Sequence, residues 1–411
     1  MATTNGPVSN NREEQPSFQM STQEPPQIIH QAERWNHPRS NILKTLATYW
    51  SFLVMGMNDA AYGLESYYNL SYTVVSLVFF SPLGGYTLAA CLNNRIHAKL
   101  GRRGVAWLAP GCHIIAYIVN CLHPPYPVLV VSFIFAGFGN GLGDAAWNAW
   151  LGDMANANQL LGLLHGFYGA GGVLSPLIAT SLITKAHLEW YYFYYIMIGC
   201  AVLEFAFLLT VFWDSPGTPA EDARADESKS GLRQVLFKKT YARVTWLCAF
   251  FLLGYVGIEV ALGGWIVTFM MQIRNGEAFA SGMTATGFWL GLTVGRVVLG
   301  FVTPRIGEKV SIVVYSLFAI GLGLTLWLVP NFYASAVALL PKSQHVSAIG
   351  FAAAFGGGGA AVLPFAVGAI AQARGVEVLQ PFIIGLSGGI LLLWLGLPRM
   401  PKKGEGSRLS A

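Results

Sequence analysis

Five ionisable residues stand well inside long apolar runs: Asp59, Asp144, Glu204, Glu259 and Arg296. A charge in such a place is costly in hydrocarbon and persists where it faces a bundle interior, a wet cavity or an opposite charge. Asp144 lies in the stretch GFGNGLGDAAWNAWLGD. Asn140, Asp144 and Asn148 recur every fourth residue and so share one helix face, with Trp147 beside it. A carboxylate between two amides and an indole suits a polar solute: the polar groups bond hydroxyls, and the ring stacks on a sugar's apolar side. The competing reading is a polar clamp between helices, with the glycines allowing close approach.

Asp59 lies in MNDAAYG, with Asn58 and Tyr62 within one turn. In a poorly hydrated cavity a carboxylate can load and release a proton near neutral pH. Two of them on neighbouring helices can couple proton movement to solute binding; the alternative for Asp59 is a structural hydrogen bond to a neighbouring helix. Glu259 and Arg296, opposite in sign and in the same half of the chain, are expected to pair, with direct solute contact as the second reading. Glu204 has no evident partner and reads as a peripheral residue. His165, in LLHGFYGAGG, shares a face with Tyr168 and Gly172 and reads as a packing residue or a proton relay; His113 is a weaker candidate still. Trp265 and Trp289 fit either a cavity wall or ordinary packing.

The composition supplies the surroundings these residues need. In 411 residues the hydrophobic set reaches 54%, glycine adds 47, and charged residues are only 11%, against about 25% in an average soluble domain. A soluble enzyme would need far more polar surface, and 13% aromatic residues exclude disorder and coiled coil. The expected class is an all-α membrane protein. No nucleophile–base pair, HExxH or GxSxG is present, and Gly356–Gly359 lies inside an apolar run with no following Lys-Ser/Thr, so it is no phosphate loop. The five cysteines show no CxxC spacing. No enzyme activity, metal or cofactor is expected. Nor is a nucleic-acid partner, because the basic residues behind the net charge of +5 sit at span ends.

Apolar runs fall at 43–63, 72–92, 104–122, 127–150, 159–183, 190–212, 241–271, 280–303, 309–329, 346–372 and 377–397. Each has about 20 residues or more, enough to cross a bilayer. The expected organisation is a polar, disordered cytoplasmic tail (1–42) in place of a signal peptide, a first bundle (43–212), a charged cytoplasmic linker (213–240), a second bundle (241–398) and a tail (399–411). Lys and Arg crowd the 92–104 loop, the linker and the 304–309 loop, which places the N-terminus in the cytoplasm. Asn69-Leu70-Ser71 is a glycosylation sequon in a short loop on the opposite side.

The halves read as a parallel repeat: Gly101-Arg102-Arg103 follows span 2, Gly307-Glu308-Lys309 follows span 8, and Asp59 and Glu259 lie at similar depth. The second half is shorter by about one span. The deficit falls in 330–345, so the expectation is about eleven full spans with only a remnant of the tenth.

These features resemble the major facilitator superfamily, and within it the fucose-permease-like proton symporters and the fungal transporters of the bypass-of-stop-codon type. The resemblance covers about 43–398. The family's loop pattern G-x-x-x-D-[RK]-x-G-[RK]-[RK] is matched by Gly300-Phe-Val-Thr-Pro304-Arg305-Ile-Gly307-Glu308-Lys309, which keeps both glycines, Arg305 and Lys309 with Pro304 in place of the acid, and by Asn94-Arg-Ile-His-Ala98-Lys99-Leu-Gly101-Arg102-Arg103, which keeps the basic end and loses the first glycine and the acid. The resemblance implies a cytoplasmic gating motif at Lys99, Gly101, Arg102, Arg103, Gly300, Arg305, Gly307 and Lys309, with Asp153 substituting for the missing acid. Asn58-Asp59 and Asp144-Ala-Ala-Trp-Asn148 are similar to acidic motifs of spans 1 and 4 in fucose permease. Carried over, they make Asp59 and Asp144 the candidate proton and substrate carboxylates, both able to serve proton coupling. With the residues read above, the expected solute-binding set is Asn58, Tyr62, Asn140, Asp144, Trp147, Asn148, His165, Glu259, Trp289 and Arg296. The implied protein is a monomeric carrier in the bilayer of the plasma membrane or vacuole, moving a small polar solute, sugar-like, with protons. The rival expectation is a sensor, an interaction protein or an inactive truncated form with a transporter-like body.

Overall fold

The computed structural model describes Ala2 and residues 33–60, 70–215, 239–328 and 349–396. Tyr62, Asn69, the body of the linker, the short stretch 330–345 and the C-terminal tail lie outside the described residues. A span surrounded by lipid must satisfy its own backbone, and the apolar runs form helices accordingly. The first half holds α1 (Ser40–Asp59), the single turn α2 (Tyr72–Val75), α3 (Phe80–Cys121), α4 (Tyr126–Gly152), α5 (Ala157–Thr184) and α6 (Tyr192–Val211). The second holds α7 (Lys239–Gln272), α8 (Ala278–Ile306), α9 (Glu308–Leu328), α10 (Ile349–Arg374) and α11 (Leu379–Leu395).

A 3-10 turn, Ser76–Phe79, joins α2 to α3. Among the described residues eight helical segments are long and apolar enough to cross a membrane, and α3 contributes to two of them. Helices α1 and α8 fall short of that mark; they are the ones that carry Asp59 and Arg296. The chain leaves the expected tail early: α1 begins at Ser40, and Asn41 donates its amide to the Glu33 carboxylate at 3.0 Å.

The repeat is visible in the backbone. Helix α3 breaks at Gly101, with φ 64° and ψ −164°, a region open essentially to glycine alone. Gly307, between α8 and α9, has φ 96°. Both loop glycines thus bend the chain at corresponding points of the two halves.

Helix α5 explains the glycines of LLHGFYGAGG. Gly171 faces α1, where an added β-carbon would stand 2.0 Å from the Leu53 carbonyl oxygen; Gly56 of α1 meets the Tyr168 carbonyl equally closely, at 1.9 Å. On another face, Gly166, Gly169 and Gly172 meet Val297, Thr293 and Trp289 of α8. That seam joins the two halves. They meet again where Tyr72 donates its N–H to Gln372 (3.0 Å), where Gln272 bonds the Tyr72 hydroxyl, and where Lys185 lies 4.4 Å from the centre of the Phe279 ring. Outward faces carry Ile115, Phe135, Leu203, Leu317 and Leu392, all exposed, as a lipid-facing surface requires.

The packing at Gly171 leaves no room for a methyl group. Gly171→Ala is expected to destabilise the purified protein by about 1–3 kcal/mol, the usual cost of overpacking. Gly199→Ala, with nothing within 4 Å of its added carbon, is expected to leave stability unchanged or slightly raised. Thermal unfolding of both variants in one detergent checks the contrast; equal losses would refute the α1–α5 contact.

Candidate functional site

Three helices of the first half converge on Asp59, the last residue of α1. Its Oδ1 accepts from Asn58 Nδ2 and from Asn140 Nδ2 of α4, both at 3.0 Å. Its Oδ2 accepts from the Tyr168 hydroxyl of α5 at 2.9 Å. These three partners all donate, which suits an ionised carboxylate.

The network continues behind Asn140. Asn140 Oδ1 lies 2.9 Å from His113 Nε2, and His113 Nδ1 lies 2.9 Å from Glu204 Oε2. Ser51 of α1 donates to Glu204 Oε1 at 2.6 Å. Asn140, His113 and Glu204 are each fully buried. This corrects the expectation that Glu204 is peripheral. Its partners come from α1 and α3, far away in the chain, and no local spacing could reveal them.

A shorter version of the same order lies two turns along α4. Asp144 Oδ1 accepts from Asn148 Nδ2 at 2.8 Å, and Asn148 Oδ1 lies 3.1 Å from His165 Nε2. The His165 ring meets Phe52 edge-on at 5.4 Å. The helical spacing read from the sequence therefore does bring Asn140, Asp144 and Asn148 to one polar face. Asp59 and Asp144 are near enough for their charges to interact.

The second half supplies an ion pair. Arg296 Nη2 lies 2.7 and 2.9 Å from the two oxygens of Glu259, the pairing expected for opposite charges on α7 and α8. The Arg296 guanidinium sits 5.3 Å from the centre of the Tyr168 ring, a cation–π contact. Its Nη1 is buried, and Tyr255 of α7 lies close to the guanidinium. Trp289 meets Tyr168 at 6.2 Å, edge to face, and lies against Gly172. Tyr168 thus touches both halves: its hydroxyl holds Asp59 and its ring lies under Arg296. In the sequence its only signal was its place one turn after His165.

Trp147 lies elsewhere. It is fully buried in the core of the first half and stacked on Phe212 at 4.8 Å. The structure does not bring it to the polar face with Asp144. Trp265 is buried too and donates to the Pro364 carbonyl at 3.1 Å.

The loop residues are arranged within their own halves. The Arg103 guanidinium stacks 3.6 Å from the Trp213 ring centre, and the Arg103 backbone N–H donates to the Ser215 carbonyl at 3.0 Å. Lys99, Asp153 and Arg305 are exposed, and Arg102 is half-buried. Gly300 lies within α8, and the Lys309 side chain is outside the described residues. Among the described residues no ion pair joins this motif across the halves.

Comparison with known proteins identifies the family and the fold of the chain. A family model described as the Major Facilitator Superfamily matches residues 45–339. Bypass of stop codon protein 6 of Saccharomyces cerevisiae is 28% identical over 420 residues, covering 88% of this chain and 84% of that protein. Among solved structures, the transporter FucP in its outward conformation aligns with a TM-score of 0.61 at 14% identity, over 89% of this chain and 99% of its own. The D-xylose–proton symporter aligns with a TM-score of 0.62 at 14% identity, over 87% and 98%. The resemblance read from the loop and acidic motifs is borne out at the level of the superfamily and its fold.

The Glu259–Arg296 pair gives a direct test. Removing one partner of a buried pair strands the other charge, at a cost of about 3–5 kcal/mol. Glu259→Leu and Arg296→Leu are each expected to destabilise by that order, and the double variant by less than either. A double-mutant cycle of unfolding in detergent checks this. Additive losses would mean that the two side chains do not support one another.

Proposed function

The chain belongs to the Major Facilitator Superfamily, and on that premise we propose a secondary active carrier that moves a small polar solute, sugar-like, together with protons. The transporter fold is that of the family; the solute and the coupling are our reading. The observation that carries it is Tyr168, which joins a carboxylate of the first half to a cation of the second at the seam where the halves meet. A group at that position registers both the charge of Asp59 and the separation of the halves.

In this reading Asp59 and Asp144 hold the coupling proton. Asn148, His165 and Arg296 offer donors and acceptors to hydroxyl groups, and Trp289 offers an apolar face. The contacts of Tyr72 and Lys185 close one end of the seam. Rocking of the halves about the site opens that end and closes the other, which is alternating access. Protonating a carboxylate removes a charge from the cavity and lets the loaded carrier reorient. Two structural relatives, a fucose–proton and a D-xylose–proton symporter by their titles, make a sugar the natural first probe.

The experiment uses the full chain in proteoliposomes, with labelled fucose, xylose, glucose and mannose under an imposed pH gradient. Accumulation driven by inward proton flow is expected for at least one sugar. Asp59→Asn and Asp144→Asn are each expected to abolish accumulation while retaining counterflow exchange. PH-dependent accumulation left intact in both amides would sink the assignment.

A further inference from the structure

We propose that His113 and Glu204 form a second, buried proton site, linked to Asp59 through the Asn140 amide. The inference deepens the reading of Asp59 as the proton-coupling group and rests on it. Its basis is the polarity of the hydrogen bonds. A carboxamide has one donating end and one accepting end. Asn140 commits its NH2 to Asp59 at 3.0 Å, so its oxygen faces His113 Nε2 at 2.9 Å and requires a proton there. His113 Nδ1 and Glu204 Oε2, 2.9 Å apart, then hold one further proton between them. Ser51 donates to the other oxygen of Glu204 at 2.6 Å, so both carboxylate oxygens are engaged.

An ionised Asp59 therefore goes with a His113 protonated at Nε2. When Asp59 is protonated it can donate, and the amide is free to turn over. Asn140 then presents its NH2 to His113, and Nε2 must be bare to accept it. Proton occupancy at the two sites is linked by the orientation of a single side chain, and no proton path between them is required. Bonding favours opposite occupancies: a proton on Asp59 accompanies a bare Nε2, and an ionised Asp59 accompanies a filled one.

The surroundings isolate this linkage. His113 and Glu204 are each 0% exposed. The groups that face the pair are Ser51 and Asp59 from α1, the Tyr117 ring of α3 stacked 5.9 Å from His113, Asn140 of α4, and Cys200 of α6 within the field of Glu204. Among these only Asp59 stands at the seam with the second half. A pair this deep answers to Asp59 before it answers to bulk water.

The test uses the full chain in lipid nanodiscs with 15N-labelled histidine and no solute, the proton itself being the probe. The His113 signal is assigned by its loss in His113→Gln. Asp59→Asn is expected to displace the His113 titration midpoint by about one pH unit or more, the mark of coupled sites. An unchanged midpoint overturns the proposal. A second readout needs no Asp59 variant: in the wild type, the His113 nitrogens and the Glu204 carboxyl band in the infrared should change over shared pH intervals. Independent titrations overturn the proposal as well. The two readings fail separately. Loss of proton-driven accumulation in Asp59→Asn with His113 unmoved keeps Asp59 as the coupling group and overturns the linked second site. A His113 response in a carrier indifferent to pH keeps the link and removes the coupling.

Discussion

A carboxylate inside a membrane-spanning bundle must be met by donors that the protein itself supplies, and around Asp59 this requirement sets the register of three helices. Asn140 of α4 and Tyr168 of α5 reach it only if α1, α4 and α5 stand at the right height and rotation. The glycines make that approach possible. Gly56 and Gly171 let the α1 and α5 backbones come close enough for the tyrosine hydroxyl to bond the acid. The polar site and the tightest packing of the first half are thus two sides of one constraint.

The halves bend at corresponding glycines yet hold charge differently. In the first, two carboxylate–amide–imidazole series run along α4, one through Asn140 to His113 and one through Asn148 to His165. In the second, Glu259 and Arg296 neutralise each other directly. A hydrogen-bonded series can change its protonation while keeping its geometry; a salt bridge of this kind changes by breaking. The arrangement places the adjustable chemistry in one half and a fixed counter-charge in the other, with Tyr168 touching both.

Much of this was legible in the residues. Most apolar runs matched helices to within a few positions, because hydrocarbon admits little else; the exception is the expected 92–104 loop, where α3 continues as helix and breaks only at Gly101. The fourfold spacing of Asn140, Asp144 and Asn148 gave a shared face, and the repeated loop glycines gave both bends. The Glu259–Arg296 pair followed from sign and proximity. Contacts between helices distant in sequence were not legible. Glu204 read as peripheral because its partners, His113 and Ser51, belong to helices that only the folded bundle brings beside it. Trp147 read as lying beside the polar face, within reach of a solute there, whereas it turns toward Phe212 and the core. The short stretch 330–345, whose deficit the repeat exposed, lies outside the described residues.

Helix α5 presents glycines on two faces to different effect. Toward α1, backbone meets backbone: Gly171 faces the Leu53 carbonyl and Gly56 the Tyr168 carbonyl. Toward α8, Gly166, Gly169 and Gly172 are sockets that the side chains of Val297, Thr293 and Trp289 fill. Knobs in matching holes must be lifted out before two helices can shift, and each lift adds to the barrier. The seam between the halves is therefore a latch, with the Trp289 ring its largest bolt. The same small residue joins backbones on one side of the helix and holds that latch on the other.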